Sequence, residues 1–366
     1  MAKICELLVS VSLVFHYLSI VNAIDIPPPS FFIFGDSTVD VGTNNFLIQT
    51  EARADSLPNG IDYPYSVPTG RFSNGLNSAD QIVRQFGSAK SPPPFLSLLQ
   101  DMSTFKKNIL QGANFASGGS GILVDTGREI YKEVVPLGTQ VQQFGTVQAN
   151  FTEIMGPEAT RLALSKSIFI VSVGGNDLLD YNETTSGLSK LDYMSSLQQT
   201  YHSHLRDLYN LGARKFGIVG VPPIGCCPAV RNALNLSGCV EPLNEFARGF
   251  NTQLEILLQN ISSTELTEMK YALGNSYEMT LDIINNPSAF GINEINSACC
   301  GQGDLNGASP CLDIDNPSLC VNRDEYLFWD RIHPTERVSE IAALTFHGGR
   351  TKYVTPMNFS QLAPTF

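Results

Sequence analysis

The stretch "SFFIFGDSTVDVGTNN", residues 30–45, runs through four large apolar side chains, Phe31 to Phe34, and then stops at Gly35, Asp36 and Ser37. A short apolar run without strict polar alternation reads as a strand covered on both faces, and its sudden end in Gly, Asp and Ser reads as a turn at the edge of a sheet. Two later runs end in the same way: "SIFIVSVGGND" at 167–177 and "KFGIVGVPPIG" at 215–225. Between the last two lies "LDYMSSLQQTYHSHLRDLYNLGA", residues 191–213, in which apolar residues recur every three or four positions and Gly212 follows the last turn. Strand, helix, strand in repetition predicts parallel strands in a doubly wound sheet, with "EMKYALGNSYEM" at 268–279 as a further strand. Ligands of such sheets bind beyond the carboxyl ends of the strands, so Ser37 and Asn176 are expected at one edge.

The chain's 366 residues are 43% hydrophobic and 16% charged, a composition that supports a sizeable core and excludes a disordered or fibrous chain. No repeat, low-complexity linker or charge block divides it. The first 23 residues carry Lys3, the apolar stretch "LLVSVSLVFHYLSIV" and then Val21-Asn22-Ala23, the pattern of a cleaved secretory signal. The stretch is shorter than the ~20 residues of a bilayer span. Residues 24–366 are therefore expected as one secreted domain without stable membrane insertion.

Seven cysteines remain after the signal, in two clusters, and export favours disulfides. Cys226 is expected to pair with Cys239, and Cys299, Cys300, Cys311 and Cys320 among themselves, leaving Cys227 free. No histidine stands at ligand spacing beside them, so no metal site and no cofactor are expected. N-glycosylation signals at Asn150, Asn182, Asn235, Asn260 and Asn358 also fit export. A net charge of −12, unchanged by loss of Lys3 with Glu6, argues against nucleic acid and anionic membranes as partners.

A serine hydroxyl attacks only when a base takes its proton. His333 in "FWDRIHPTE" is the candidate base: Pro334 is expected at the first position of a helix, His333 at its mouth, and Asp330 three residues earlier to accept the Nδ1 hydrogen. His202 and His204 read as solvated helix positions. Asn176 in "GGND", the backbone N–H of Gly118 in "GANFASGGSG" and that of Ser37 are candidate donors to a developing oxyanion. The sequence alone leaves Gly118 and Gly119 both open. Arg71 in "TGRFSNG" is read either as ordering a loop or as a surface ion pair. Neither a G-x-S-x-G elbow, a Walker A loop nor an H-E-x-x-H motif occurs.

"FGDS" with Asp40 and the Asn pair, "NFASGGSGI", "VSVGGND" and "FWDRIHPTE", in that order and spacing, resemble the GDSL esterase/lipase family of plants within the SGNH hydrolase superfamily. "GVPPIGC" and "CCG" extend the resemblance over nearly all of the mature chain. It implies a three-layer α/β/α sandwich of the flavodoxin-like kind with a central parallel sheet, and a secreted, extracellular serine esterase of the cell wall or apoplast. Ser37 would be the nucleophile, Asp330 and His333 the rest of the triad, and Gly118 and Asn176 the oxyanion donors. The substrate would be a small-molecule, lipid or polysaccharide ester. Thr38 stands where the family usually has Leu, and Cys227 where a non-cysteine residue is common. Two other readings use the same residues: a secreted acyltransferase working through the same acyl-enzyme, and a non-catalytic binding protein on the same fold.

Overall fold

The computed structural model describes residues 29–312 and 317–363; the expected signal, residues 1–23, lies outside them. Among the described residues the main sheet contains β1 (Phe31–Gly35), β2 (Gly112–Asn114), β3 (Ile168–Ser172), β4 (Lys215–Val219), β5 (Lys270–Gly274) and β6 (Val354–Thr355). Their order is β6-β5-β4-β3-β1-β2, and every pairing is parallel except that of β6 with β5. The chain thus leaves β1 toward β2 on one side and returns to β3 on the other. Ser37 and Asn176 follow the two strands that flank this switch point, where α/β sheets open a crevice.

The helices that cover the sheet include α1 (Ser78–Arg84), α2 (Leu137–Met155), α3 (Lys190–Asn210), α4 (Glu241–Thr264) and α5 (Glu336–Gly348). Strand side chains alternate between the two faces, as a period of two requires. Phe32, Phe34, Phe169, Val171, Phe216 and Ile218 join the core made with α2, α3 and α4; Phe31, Ile33, Ile168 and Ile170 join the core made with α1 and α5. The result is the expected three-layer α/β/α arrangement. In α3 the side chains of Tyr193, Leu197, Tyr201, Leu205 and Leu208 are buried at intervals of three and four residues, Ser189 caps its start, and Gly212 turns away beyond its end at φ +113°. His202 and His204 are less solvated than their positions suggested. His202 pairs with Glu265 at 2.7 Å, and His204 packs on Gly138, where burial lowers its pKa.

The loops at the carboxyl edge are tied by buried carboxylates. Asp40, after β1, accepts the amides of Gly42, Thr43 and Gly118 at 2.7–2.9 Å. Asp177 accepts those of Ile122 and Leu123 and the Thr126 hydroxyl. Burial outweighs these donors and pushes both pKa values up from 3.8 to about 6; burial likewise pushes Glu336 up from 4.5 to about 7. Each group holds its proton more tightly in the folded than in the unfolded chain. Its stabilising contribution is complete below the unfolded value and is lost as the pH rises through 6 to 7. The melting temperature should therefore be higher at about pH 6 than at about pH 8. His204 and His347, lowered by burial from 6.5, offset part of this gain as the pH falls through 6.5. A melting temperature that falls from about pH 8 to about pH 6 would show that these carboxyls ionise without cost.

Candidate active site

The serine turn begins after Gly35, the last residue of β1, which is paired with Ser172 of β3. Gly35 has φ +148°, and a Cβ there would lie 2.0 Å from the Ser172 carbonyl oxygen, so only glycine lets β1 end this close to β3. The side-chain amide of Gln140 on α2 clamps the same residue: Oε1 accepts the Gly35 N–H and Nε2 donates to the Gly35 C=O, both at 2.8 Å. Asp36 then turns the chain by accepting the backbone N–H and hydroxyl of Thr38 at 2.9 and 2.7 Å. Thr38, the departure from the usual Leu, also reaches Ser172 Oγ at 3.0 Å and joins the ends of β1 and β3. The Ser37 hydroxyl is bonded to His333.

His333 sits in a hairpin rather than at a helix mouth. The strand Tyr326–Phe328 leads into it, Trp329 N–H donates to the His333 C=O at 2.8 Å, and Thr335 N–H donates to the Leu327 C=O at 3.2 Å. Pro334 bridges back to Phe328, and Thr335 is the cap of α5, so the expectation of Pro334 as a first helical residue is corrected. Asp330 closes the hairpin by accepting the amides of Ile332 and His333 on Oδ1 at 2.9 and 2.8 Å. His333 Nδ1 lies 2.7 Å from Asp330 Oδ2, and Nε2 lies 2.6 Å from Ser37 Oγ. Burial works against the Asp330 charge, but the charge and hydrogen bond of His333 and the two amides outweigh it and hold the carboxyl below its usual range. Behind the hairpin, Trp329 is fully buried and its Nε1–H donates to Asn59 Oδ1 at 2.9 Å. Two disulfides, Cys299–Cys320 and Cys300–Cys311, pack around it. With Cys226–Cys239 and a buried, unpaired Cys227, they match the expected pairing.

Asn176 lies in the short helix Gly175–Asp180 after β3. One hydrogen of its amide goes to the Ser120 C=O at 2.9 Å, which leaves the other for a ligand in the cleft that it lines with Ser37 and His333. The Gly118 amide is already used. It donates to Asp40 Oδ2 at 2.9 Å, while Asn44 Nδ2 holds the Gly118 C=O at 2.9 Å. Gly118 thus serves the frame of the loop, contrary to the expectation that it donates to substrate. Gly119, with φ +80°, lines the space beside Ser37, and among the described residues its N–H has no acceptor.

Sequence reasoning gave no role to Asp40, Asn44, Gln140 or Asp177, which hold the serine turn and the glycine loop in place. Asp40 had a signal: a carboxylate just before Gly42 and Thr43 is suited to cap the amides of a turn. Gln140, one polar residue in an amphipathic helix, had none. Arg71 is buried and forms a two-point ion pair with Asp80 at 2.6 and 2.8 Å, which favours the loop-ordering reading over a surface pair. Of the glycosylation signals, Asn182, Asn235 and Asn260 are exposed, and Asn150 and Asn358 half-buried. No helix among the described residues is long and apolar enough to cross a membrane, and no group of three or more His, Cys, Asp or Glu among them is arranged for a metal ion.

Residues 31–346 match the model of the GDSL-like lipase/acylhydrolase family. Among curated proteins the chain is similar to the GDSL esterase/lipase LTL1 of Arabidopsis thaliana, with 39% identity over 338 residues, covering 90% of each chain. It is also 36% identical to GDSL esterase/lipase 7 of the same plant over 346 residues, covering 92% of each. A family match over most of the chain, on a sheet whose switch point carries Ser37 beside His333, makes this protein a member of the GDSL-like lipase/acylhydrolase family and a carboxylic ester hydrolase.

Proposed function

We propose that the protein is a secreted serine esterase in which Ser37 is the nucleophile, His333 the general base and acid, and Asp330 the residue that orients His333. The unbroken series Ser37 Oγ to His333 Nε2 and His333 Nδ1 to Asp330 carries this reading. His333 Nε2 takes the hydroxyl proton as Ser37 Oγ bonds to the ester carbonyl carbon. The negative charge formed on the carbonyl oxygen is met by the free amide hydrogen of Asn176 and the backbone N–H groups of Ser37 and Gly119. Collapse of this intermediate breaks the bond to the alcohol oxygen, which leaves with the proton from Nε2, and Ser37 stays acylated. Water repeats the sequence and releases the acid. Asp330 keeps the proton of His333 on Nδ1 and offsets the positive charge of the imidazolium. No step calls for a metal, so hydrolysis of p-nitrophenyl butyrate should persist in EDTA.

The substrate class is a small-molecule, lipid or polysaccharide ester met outside the cell, after removal of residues 1–23. The three disulfides fit an oxidising compartment. The secreted form should begin near Ile24 and carry N-glycan at one or more of the exposed signals. Mass analysis that finds Met1 retained and no glycan would contradict export.

Asp330→Asn distinguishes orientation of His333 from bracing of the hairpin. Asparagine keeps an Oδ1 acceptor for the Ile332 and His333 amides but presents an amide to Nδ1. The expected loss is in kcat, up to about 10⁴-fold, with little change in KM or melting temperature. Near-wild-type kcat with a lowered melting temperature would remove Asp330 from the catalytic residues.

A further inference from the structure

Ser37 and His333 stand where two grooves meet, and the grooves differ in chemistry. One runs past Asn176 between Val173, Leu179, Val221 and Ile224, with the Cys227 thiol in its wall. Burial pushes that thiol up to about 12, so it carries no charge at neutral pH, and the Asp36 carboxyl that also lines this groove is bonded to Thr38. The other runs past Gly119 and is bordered by Glu51, Arg53, Tyr131 and Arg331, with Phe72 and Leu312 among its apolar sides. Phe72 packs on the His333 ring at a centroid distance of 5.0 Å. The hairpin residues Asp330 to His333 all line this second groove, whereas only Ile332 and His333 reach the first.

Resting on the triad reading above, we propose that an ester lies across Ser37 with its acyl chain in the aliphatic groove and a polyhydroxylated alcohol, such as a sugar, in the groove of Tyr131 and Arg331. The direction follows from the proton. His333 must hand it to the departing alcohol oxygen, and the hairpin that carries His333 borders the second groove along its length. The class of alcohol follows from the wall. Glu51 offers acceptors, Arg331 donors and Tyr131 both, a mixed set that hydroxyl groups can satisfy as donors and acceptors, while the Arg53 guanidinium is engaged with the Asn44 and Leu47 carbonyls and Asp55. An alkyl alcohol would strip water from these groups and return no hydrogen bond. Glu51 is also paired with Lys132 and Arg53 with Asp55, so the groove carries no strong excess of one sign from this pair of residues. The aliphatic groove, by contrast, gains from each methylene of an acyl chain that it covers.

The test uses two ester series, followed by acid release at constant pH, each rate divided by that for hydroxide. With the acyl group fixed as butyryl, the wild-type enzyme should favour the 6-O-ester of methyl glucoside over hexyl butyrate in kcat/KM, on the order of tenfold or more. With the alcohol fixed as methyl glucoside, kcat/KM should rise as the acyl group lengthens from acetyl to hexanoyl. Arg331→Gln or Tyr131→Phe should narrow the glucoside-to-hexyl ratio and leave the dependence on acyl length; Leu179→Ser should flatten the acyl dependence and leave that ratio. A wild-type preference for hexyl butyrate, or the two classes of variant exchanging their effects, would overturn the proposed direction while leaving the triad standing. Failure to cleave any ester in either series would remove the triad reading with it.

Discussion

The site depends on one contact between residues 296 positions apart, His333 Nε2 and Ser37 Oγ at 2.6 Å. A hydrogen bond of that kind contributes too little to hold two loops together against their conformational entropy, so each partner must be fixed before they meet. Ser37 is fixed by the sheet: β1 is paired on both sides, and Gln140 occupies both backbone hydrogen-bonding groups of Gly35. His333 is fixed by its hairpin, which Asp330 closes from within and Trp329 anchors from behind. The disulfides around Trp329 constrain the unfolded chain and are worth about 2–4 kcal/mol each in comparable loops. Support from the sheet, Gln140, Trp329 and the disulfides thus converges on one short distance, and Asp330 belongs both to this support and to the proposed triad.

The negative charges at this edge divide in the same way. Asp330 is paired with an imidazole and held below its usual pKa, while Asp40 and Asp177 accept hydrogen bonds only from neutral donors and are pushed up to about 6 by burial. The first is suited to stabilise a cation that forms during reaction. The other two bind loop amides: Asp40 ties the serine turn to Gly118, and Asp177, next to Asn176, ties the end of β3 to residues 122–126. Because Asp40 accepts the Gly118 amide, it is the neighbouring amide of Gly119 that lacks an acceptor among the described residues and that we propose as the donor to substrate.

The central strands were legible because burial on both faces leaves runs such as Phe31–Phe34 and Ile168–Val171 without polar interruption. Strands β2 and β6 were not, since three and two residues are too few to show a period. The three residues of the proposed triad, which the structure brings within hydrogen-bonding distance, could be singled out from sequence because attack, proton transfer and orientation restrict the residue types to a serine, a histidine and a nearby carboxylate. The local backbone around His333 could not. Pro334 favours a first helical turn, but the pairing of 327–329 with 333–335 places it in a hairpin and moves the cap to Thr335. The choice between Gly118 and Gly119 needed the position of Asp40, a contact across 78 residues that no local pattern records.

Whether Ser37 is the attacking atom is decided most directly by the crystal structure of the protein after reaction with an alkyl fluorophosphonate, which leaves a tetrahedral phosphonate on the nucleophile. The bond is expected on Ser37 Oγ, with the phosphonyl oxygen directed at Asn176 Nδ2 and the amides of Ser37 and Gly119. A phosphonate on Ser117 or Ser120, or one on Ser37 whose oxygen turns away from Asn176, would contradict the site described above.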